Sequence, residues 1–426
     1  MLALCDCNNF FVSCERLCRP ELRNRPVVVL SSNDGCIIAR SNEVKAMGVP
    51  MGQPYFQARA LLREKGVVVC SGNHTLYKEI SEKVMRTLGR FTDAIEEYSI
   101  DEAFLAVPAM VENPAAYAAR IRQDIGRTIG VPISVGIAPT KTLSKLASER
   151  AKKTESGVLE ITKRNLGEML ETTAIEDVWG IGRKTAEFLN RYGIYNAGHF
   201  VTKDPVWVKK RLTIRGILTQ FELKGQPCIP LAAERQPPKS IQVSRTWGTV
   251  LESFGDVLLA MTDNVLNAGR QLRQNGLAAG AMSLHIRHGY RHHGQCGYFT
   301  RDIHFDGPAS SDIELADSAK YILERIYQAG YKYTQGGVIL YNLSDAKFRQ
   351  RELFGDGVYE RRLRLERFSG AVDAINEHFG VRAIYPASLA IKSKKWLPNR
   401  NYLSEKRYSL TGQVATRACQ ARLRAV

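Results

Sequence analysis

Alternating hydrophobic and polar positions divide the first part of the chain into the strands and helices of an α+β fold. The apolar strand 1–5 ends at Asp6, and residues 95–107 have the period-two alternation of a β-hairpin whose bend carries Asp101 and Glu102. An antiparallel-containing sheet with helices on one face is a ferredoxin-like arrangement, in which Asp6 and the bend can meet. The pattern predicts further helices at 76–90, 114–129 and 140–152, and strands at 133–137 and 158–161.

Residues 14–72 form a smaller insertion between two parts of that fold. We predict a turn carrying Phe10 and Phe11 just before it. Within the insertion the pattern predicts strands at 26–30 and 36–39, a turn at 31–35 and a short helix at 40–48 closed by glycine.

After residue 167 the chain becomes helical and basic, and residues 178–186 have the pattern of a helix-hairpin-helix motif. Gly180 and Gly182 would let backbone N–H groups approach a phosphate at the start of the next helix, with Arg183 and Lys184 beside them. The alternative is a plain glycine junction between two helices. The overall charge favours phosphate contact.

Two prolines in the segment 236–239 mark the clearest linker of the chain. Beyond it the order strand, helix, strand, strand, helix, strand predicts a second compact α+β domain over residues 240–344. Its elements are predicted at 240–250, 254–275, 281–287, 297–305, 312–330 and 336–343.

The charge of the chain indicates a polyanionic partner. There are 60 Lys and Arg against 43 Asp and Glu, a net charge of +17. The excess is uneven, since residues 345–426 hold 17 basic and 8 acidic side chains. Nucleic acid and an anionic membrane surface are both compatible with such an excess.

Cysteine usage and hydropathy indicate a cytoplasmic protein. Nine cysteines, an odd number scattered over 426 residues, favour reduced thiols rather than a disulfide framework. Asp6 interrupts the apolar run at the start, which leaves no signal-peptide core, and no uncharged run approaches the 18 residues of a membrane span. We therefore expect no membrane association.

Asp6, Asp101 and Glu102 are the strongest candidates for chemistry. If the two strand ends lie side by side, three carboxylates converge, and like charges so close need a cation. Mg²⁺ held by a few carboxylates and substrate phosphates answers that need and is typical of two-metal phosphoryl transfer. The alternative is a solvated hairpin turn, which most acid pairs are.

Ordered motifs in these elements give the chain a family resemblance. The chain resembles the Y-family translesion DNA polymerases, and one motif at 30–40 narrows the resemblance to the UmuC-type branch. Its segments are Asp6-Cys-Asn-Asn-Phe-Phe11, Leu30-Ser-Ser-Asn-Asp-Gly-Cys-Ile-Ile-Ala-Arg40, Tyr98-Ser-Ile-Asp-Glu-Ala-Phe104, Gly136-Ile-Ala-Pro-Thr-Lys-Thr-Leu-Ser-Lys-Leu-Ala147 and Trp179-Gly-Ile-Gly182.

The resemblance implies a multi-domain right-hand polymerase of the α+β class. The implied domains are a ferredoxin-like palm (1–13 and 73–164), small fingers (14–72), a helical helix-hairpin-helix thumb (165–235), an α+β little finger (240–344) and a basic C-terminal region (345–426). The implied activity is error-prone, template-dependent nucleotidyl transfer in SOS DNA damage tolerance and mutagenesis.

It also implies roles for single residues. Asp6, Asp101 and Glu102 fall on the catalytic carboxylates that bind two Mg²⁺ ions, with dNTPs as substrates. Phe11, beside Phe10, falls on the steric gate that blocks a ribose 2′-OH, where close relatives usually carry Tyr. Lys152 falls on the lysine that holds the incoming triphosphate. Many Y-family fingers place a Tyr/Arg pair on the phosphates, and the residues at these positions here are Asn42 and Lys45. The point charge of a lysine thus replaces the bidentate fork of an arginine.

The implied partners are primer-template DNA, a processed UmuD-type dimer, a recombinase filament and a sliding clamp, in a cytoplasmic, nucleoid-associated setting. Gln350, Leu353 and Phe354 resemble the pentapeptide by which bacterial polymerases dock on the clamp, although Arg351 replaces its usual apolar second residue. A short amphipathic turn packed on the little finger is the alternative.

Two other functions remain open at the level of sequence. A nucleotidyl cyclase can use a similar palm with two metals, but it would lack the thumb hairpin and would need no template. A non-catalytic DNA-binding protein would explain Gly180, Gly182 and the basic tail, but it would leave the three acids without a role, because acids repel DNA unless they hold metal.

Overall fold

The computed structural model describes residues 1–232, 237–289, 296–347, 356–380, 383–390 and 394–404. The chain forms two compact units, Met1–Arg235 with Asn401–Val426, and Gln236–Arg400. No helix among the described residues is both long enough and apolar enough to cross a bilayer.

The first unit alternates short strands and helices. In chain order its elements are β1 (Leu2–Cys7), α1 (Phe10–Cys18), β2 (Val27–Leu30), β3 (Ile37–Arg40), α2 (Asn42–Ala46), α3 (Tyr55–Glu64), β4 (Val68–Ser71), α4 (His74–Leu88), β5 (Ile95–Glu97), β6 (Glu102–Ala106), α5 (Pro114–Thr128), β7 (Ile133–Ala138), α6 (Lys141–Ala151), β8 (Val158–Glu160), α7 (Leu166–Glu171), α8 (Arg183–Asn190), α9 (Ala197–Val201) and α10 (Pro205–Leu223).

The central sheet of this unit has the strand order β5-β6-β1-β7-β8, antiparallel except for the parallel pair β7–β8. The strands and helices predicted between 76 and 161 are confirmed to within a few residues. The expectation of helices on one face is wrong. Helices α4 and α5 pack with Cys5 and Val135 on one face, while α6 lies against Gly136 on the other.

The insertion contains more regular structure than the sequence predicts. Its three-stranded sheet has the order β3-β2-β4, with β2 parallel to β4, and α3 and β4 have no counterpart among the predicted elements. The predicted turn at Phe10 and Phe11 is wrong, because these residues begin helix α1. Leu403, in the C-terminal region, forms a parallel bridge with Ser71 at the end of β4.

Helices α7 to α10 share a hydrophobic core with α6, the helix that packs against Gly136 of the central sheet. A buried carboxylate reinforces this packing at the start of α6: Glu222 Oε2 accepts from Thr142 N at 3.0 Å, and the Glu222 carbonyl accepts from Thr140 Oγ1 at 2.8 Å. A negative charge at a helix N-terminus is favourable because it faces unpaired N–H groups. The helical segment is thereby joined to the helix that covers the acids.

The second unit has the predicted strand and helix order. Its elements are β9 (Ile241–Leu251), α11 (Phe254–Gln274), β10 (Leu277–His288), β11 (Gly297–Ala309), α12 (Asp312–Ile326), β12 (Tyr333–Asp345) and α13 (Asp356–Phe379).

Its antiparallel sheet has the order β11-β10-β12-β9, and α11 and α12 supply the core that packs on it. Part of the C-terminal region also belongs to this unit. Arg273 of α11 pairs with Asp312 of α12 at 2.8 Å and with Asp373 of α13 at 2.6 Å, and Trp396 is buried in the core.

Candidate active site

The register of strands β1 and β6 brings the acids together. Asp6 lies directly opposite Glu102 in this antiparallel pair, so the two side chains share one face of the sheet. The bend between β5 and β6 is held against the end of β1 because Cys7 N donates to the Asp101 carbonyl at 2.9 Å. All three acids therefore border one opening.

That opening is a cavity of about 760 Å³. Residues of β1, α1, β3, α2 and the bend surround it. Its lining includes Asp6, Asn9, Phe10, Phe11, Arg40, Asn42, Lys45, Met51, Asp101, Glu102, Glu149, Lys152 and Lys153. Acidic side chains from the central sheet and basic side chains from α2 and the end of α6 thus face the same space.

Asp6 is only 6% exposed, and burial raises its pKa to about 7, with the nearby charge of Glu102 adding to the rise and Lys152 opposing it. Lys152 Nζ lies 2.8 Å from Asp6 Oδ2 and 2.6 Å from Glu149 Oε1. Burial disfavours the ammonium form of Lys152, but these two acids outweigh it and raise the lysine's pKa. The lysine thus compensates the charge of Asp6.

The other two acids also have protein partners. Burial raises the pKa of Asp101, which accepts from Ser99 Oγ at 2.8 Å. Glu102 Oε2 lies 3.1 Å from Lys145 Nζ. As they stand, no three acidic, histidine or cysteine side chains in the described ranges are arranged to hold a metal ion. Three carboxylates beside one cavity nevertheless have the oxygen chemistry that Mg²⁺ needs.

Sequence reasoning gave no role to Lys145. Its ammonium lies 4.6 Å from the centre of the Tyr98 ring, and Trp179 Nε1 donates to Tyr98 OH at 3.1 Å. The same ammonium lies 5.9 Å from the centre of the Trp179 ring, so Lys145 connects the acid-bearing bend with the start of the glycine hairpin. The sequence does contain a signal for Lys145. Residues three or four apart share a helix face, and this spacing puts Lys145 in a row with Lys141, Glu149 and Lys152.

Phe10 and Phe11 have different environments. Asn9, just before α1, has φ +48°, a left-handed conformation that Asn tolerates better than most residues. Phe10 is 3% exposed and packs in the core. Phe11 is half-buried and lies on the cavity wall, with one ring face stacked on Tyr77.

Asn42 and Lys45 lie on α2 beside the cavity. Asn42 Oδ1 accepts from Asn9 Nδ2 at 2.9 Å, which joins α2 to the turn before α1. The pKa of Lys45 is lowered by burial and by the charges of Arg40 and Lys152. Cations close enough to lower the pKa of Lys45 favour an anionic ligand beside it.

The glycine hairpin lies at the start of α8. Gly180 has φ +89°, a conformation that favours glycine, whereas Gly182 has an ordinary φ of −81° and precedes α8 without a side-chain cap. Arg183 pairs with Glu187 at 2.9 Å, and Lys184 is exposed. The candidate clamp motif, Gln350, Leu353 and Phe354, lies outside the described residues.

Comparisons with known proteins identify the family to which the chain belongs. Residues 5–149 match the impB/mucB/samB family, and residues 238–353 match its C-terminal domain. Protein ImpB of Salmonella typhimurium is 32% identical over 88% of this chain and 90% of its own length. Protein UmuC of Salmonella typhimurium strain LT2 is 31% identical over 96% of this chain and 99% of its own length.

A solved structure shows the same fold. The Y-family DNA polymerase chimera Dbh-Dpo4-Dbh superposes with a TM-score of 0.66 at 21% identity, over 80% of this chain and 98% of the chimera. Sequence and fold therefore agree on one assignment. The chain belongs to the impB/mucB/samB family of UmuC-type Y-family translesion DNA polymerases, which are DNA-directed DNA polymerases.

Proposed function

We propose that Asp6, Asp101 and Glu102 are the catalytic carboxylates with which this polymerase joins a dNTP to a primer. The observation that carries the proposal is that all three border one cavity, with Lys152 against Asp6. A buried carboxylate whose pKa is raised and which borders a cavity is typical of a functional site.

Y-family polymerases generally need divalent metal ions, and we propose two Mg²⁺ ions held by these three acids. Bound Mg²⁺ would lower the pKa of the primer 3′-hydroxyl and offset the charge on the transferred phosphate. To bind it, the carboxylates would exchange their present partners, Lys152, Ser99 and Lys145, for the ion. Lys152 would then be available to the substrate.

Lys152 and Lys45 are suited to hold the triphosphate. Both line the cavity, and Lys45 lies near Arg40 and Lys152, whose charges lower its pKa. A dNTP triphosphate would relieve this repulsion. Because Lys45 is a point charge, it can follow a moving phosphate but cannot fix its orientation as the fork of an arginine would.

Phe11 is the proposed steric gate for the sugar, and Phe10 supports it from the core. Both rings border the cavity that the acids line, but Phe11 is half-buried, whereas Phe10 is buried in the core. A ring at this position would exclude a 2′-hydroxyl by its volume alone.

The proposed DNA contacts lie on other elements. Gly182, Arg183 and Lys184 at the start of α8 would bind a backbone phosphate, helped by Gly180, which shapes the turn. We assign residues 1–13 and 73–164 to the palm, 14–72 to the fingers, 165–235 to the thumb and 240–344 to the little finger. Primer-template DNA is the proposed partner of the surface at the start of α8.

Other partners are proposed from the family alone. A processed UmuD-type dimer, a recombinase filament and a sliding clamp would join the polymerase in SOS mutagenesis, in the cytoplasm at the nucleoid. The supporting observation is the match to UmuC along nearly the full chain.

The test is primer extension by Asp101→Asn in the full chain. Loss of one carboxylate charge from the proposed metal site should lower the rate of primer extension by at least about a hundredfold. The affinity for primer-template DNA should stay near that of the parent. Glu97→Gln is the matched control, because Glu97 is an exposed acid of the same hairpin and should keep full activity. Near-parental extension by Asp101→Asn combined with Glu102→Gln would contradict the proposal.

A further inference from the structure

A second aromatic ring supports the proposed gate from behind. The rings of Phe11 and Tyr77 are stacked, with centroids 4.5 Å apart and planes inclined by 18°. Tyr77 lies on α4 and is fully buried, and His74 of the same helix meets the edge of Phe11 at 5.7 Å. One face of Phe11 is therefore covered by α4, while the residue lines the cavity.

Tyr77 is itself held in place by a buried acid. Its hydroxyl donates to Glu15 Oε1 at 2.7 Å, and Glu15 is fully buried on α1, four residues after Phe11. Phe11 and Glu15 thus lie on one face of α1 and contact the ring and the hydroxyl of the same tyrosine. Burial raises the pKa of Glu15, and its Oε2 has no hydrogen-bond partner among the described residues.

The C-terminal segment completes this network. Ser404 Oγ donates to Glu15 Oε1 at 3.3 Å and accepts from Asn73 Nδ2 at 3.2 Å. Asn73 also caps α4, since its side chain accepts from Leu76 N. The segment is kept there by backbone pairing, in which Ser71 N donates to the Tyr402 carbonyl at 2.9 Å.

A buried carboxylate is costly, and the catalytic site just described does not use this one. We propose that Tyr77, fixed by Glu15, is a positioning residue that holds Phe11 in place for sugar discrimination. This inference rests on the proposed role of Phe11 as the gate. A phenylalanine has no hydroxyl to anchor it, so its position depends on packing, and exclusion of one hydroxyl group requires a ring that cannot retreat.

The test measures kcat/KM for ribonucleotides relative to deoxyribonucleotides in the full chain. Tyr77→Leu removes the flat surface behind Phe11 and should raise that ratio about tenfold, with deoxyribonucleotide incorporation near the parent's. Tyr117→Leu is the matched control. Tyr117 is a partly buried tyrosine of the same unit whose hydroxyl donates to the Phe91 carbonyl at 2.7 Å. Its replacement should lower stability and leave the ratio unchanged.

Phe11→Ala separates this inference from the proposed function. If Phe11→Ala leaves the ratio at the parental value, the gate assignment fails. If Phe11→Ala raises the ratio and folded Tyr77→Leu does not, the gate holds and the positioning role is wrong. Because Tyr77 acts through Phe11, the double variant should be no more permissive than Phe11→Ala, and a further multiplicative rise would overturn the proposal.

Tyr77→Phe decides the question if Tyr77→Leu does not fold. It keeps the stacked ring and removes only the hydrogen bond to Glu15, so the ratio should rise by about two- to threefold. A parental ratio in this variant would overturn the role of Glu15 in fixing Tyr77.

Discussion

Asp6 is subject to opposing effects that make its charge sensitive to pH. Burial raises its pKa from 3.8 to about 7, although Lys152 opposes the rise. Between these two pH values the folded state binds more protons at Asp6 than the unfolded state does. The free energy of unfolding contributed by this group therefore falls as pH rises through that window.

The fall in stability with rising pH leads to a prediction for Asp6→Asn. In metal-free buffer the parent should lose more thermal stability between pH 5 and pH 8 than the variant, because the amide does not ionise. Mg²⁺ at pH 8 should raise the melting temperature of the parent more than that of the variant. Glu97→Gln is the control and should keep the parental pH dependence, and equal pH dependence in Asp6→Asn and the parent would contradict the prediction.

At the scale of elements, contact between α6 and β7 sets the position of the basic groups. A Cβ atom on Gly136 would lie 2.0 Å from Ser148 N and 2.4 Å from the Ser144 carbonyl oxygen. Both are backbone atoms of α6 and cannot rotate away. The same helix carries Lys145 and is followed directly by Lys152, so the spacing between this helix and the sheet also sets their distance from the acids.

Gly136→Ala should therefore destabilise the protein by about 1–3 kcal/mol and weaken catalysis through displaced lysines. Denaturant unfolding and single-turnover extension measure the two effects. Gly126→Ala is the matched control, since Gly126 lies within α5 with nothing near its Cβ position. That change should stabilise the helix by about 0.5–1 kcal/mol and leave extension unchanged. Parental stability of Gly136→Ala would contradict the packing argument.

At the scale of the whole molecule, the C-terminal region serves more than one unit. Helix α13 and Trp396 belong to the second unit, whereas Asn401–Ser404 lies with the first. Residues 350–354 lie between β12 and α13 in sequence. Leu353 and Phe354 are adjacent apolar side chains in a strongly charged stretch, which suits docking to a partner.

Leu353→Ala with Phe354→Ala should abolish stimulation of synthesis by the sliding clamp and leave basal extension near normal. Clamp-dependent and clamp-independent primer extension measure the two quantities. Phe379→Ala is the control, because Phe379 is a strongly exposed aromatic at the end of α13. If basal extension and melting temperature fall together in the double variant, the two side chains belong to a core and the docking proposal is wrong.

The sequence by itself determined most strands and helices of the central sheet and of the second unit, and the placement of the acids at a strand end and a hairpin bend. Period-two alternation identifies β1 and the acid-bearing hairpin, because side chains of a strand alternate between two faces whatever its partners are. The order of strands and helices in the second unit follows from local pattern in the same way. The motifs at Asp6, Asp101 and Gly180 were sufficient for the family resemblance, which the comparisons confirmed.

Only the tertiary structure decided which groups face those acids. An amphipathic pattern shows that a helix has an apolar side but does not show which face of the sheet covers it, so the pattern could not separate α6 from α4 and α5. Helix α1 begins without a side-chain cap and is packed against α4, which local pattern could not reveal. The contacts of Lys152 with Asp6, and of Tyr77 with Glu15 and Phe11, join residues far apart in sequence, and their geometry exists only when separate elements pack together.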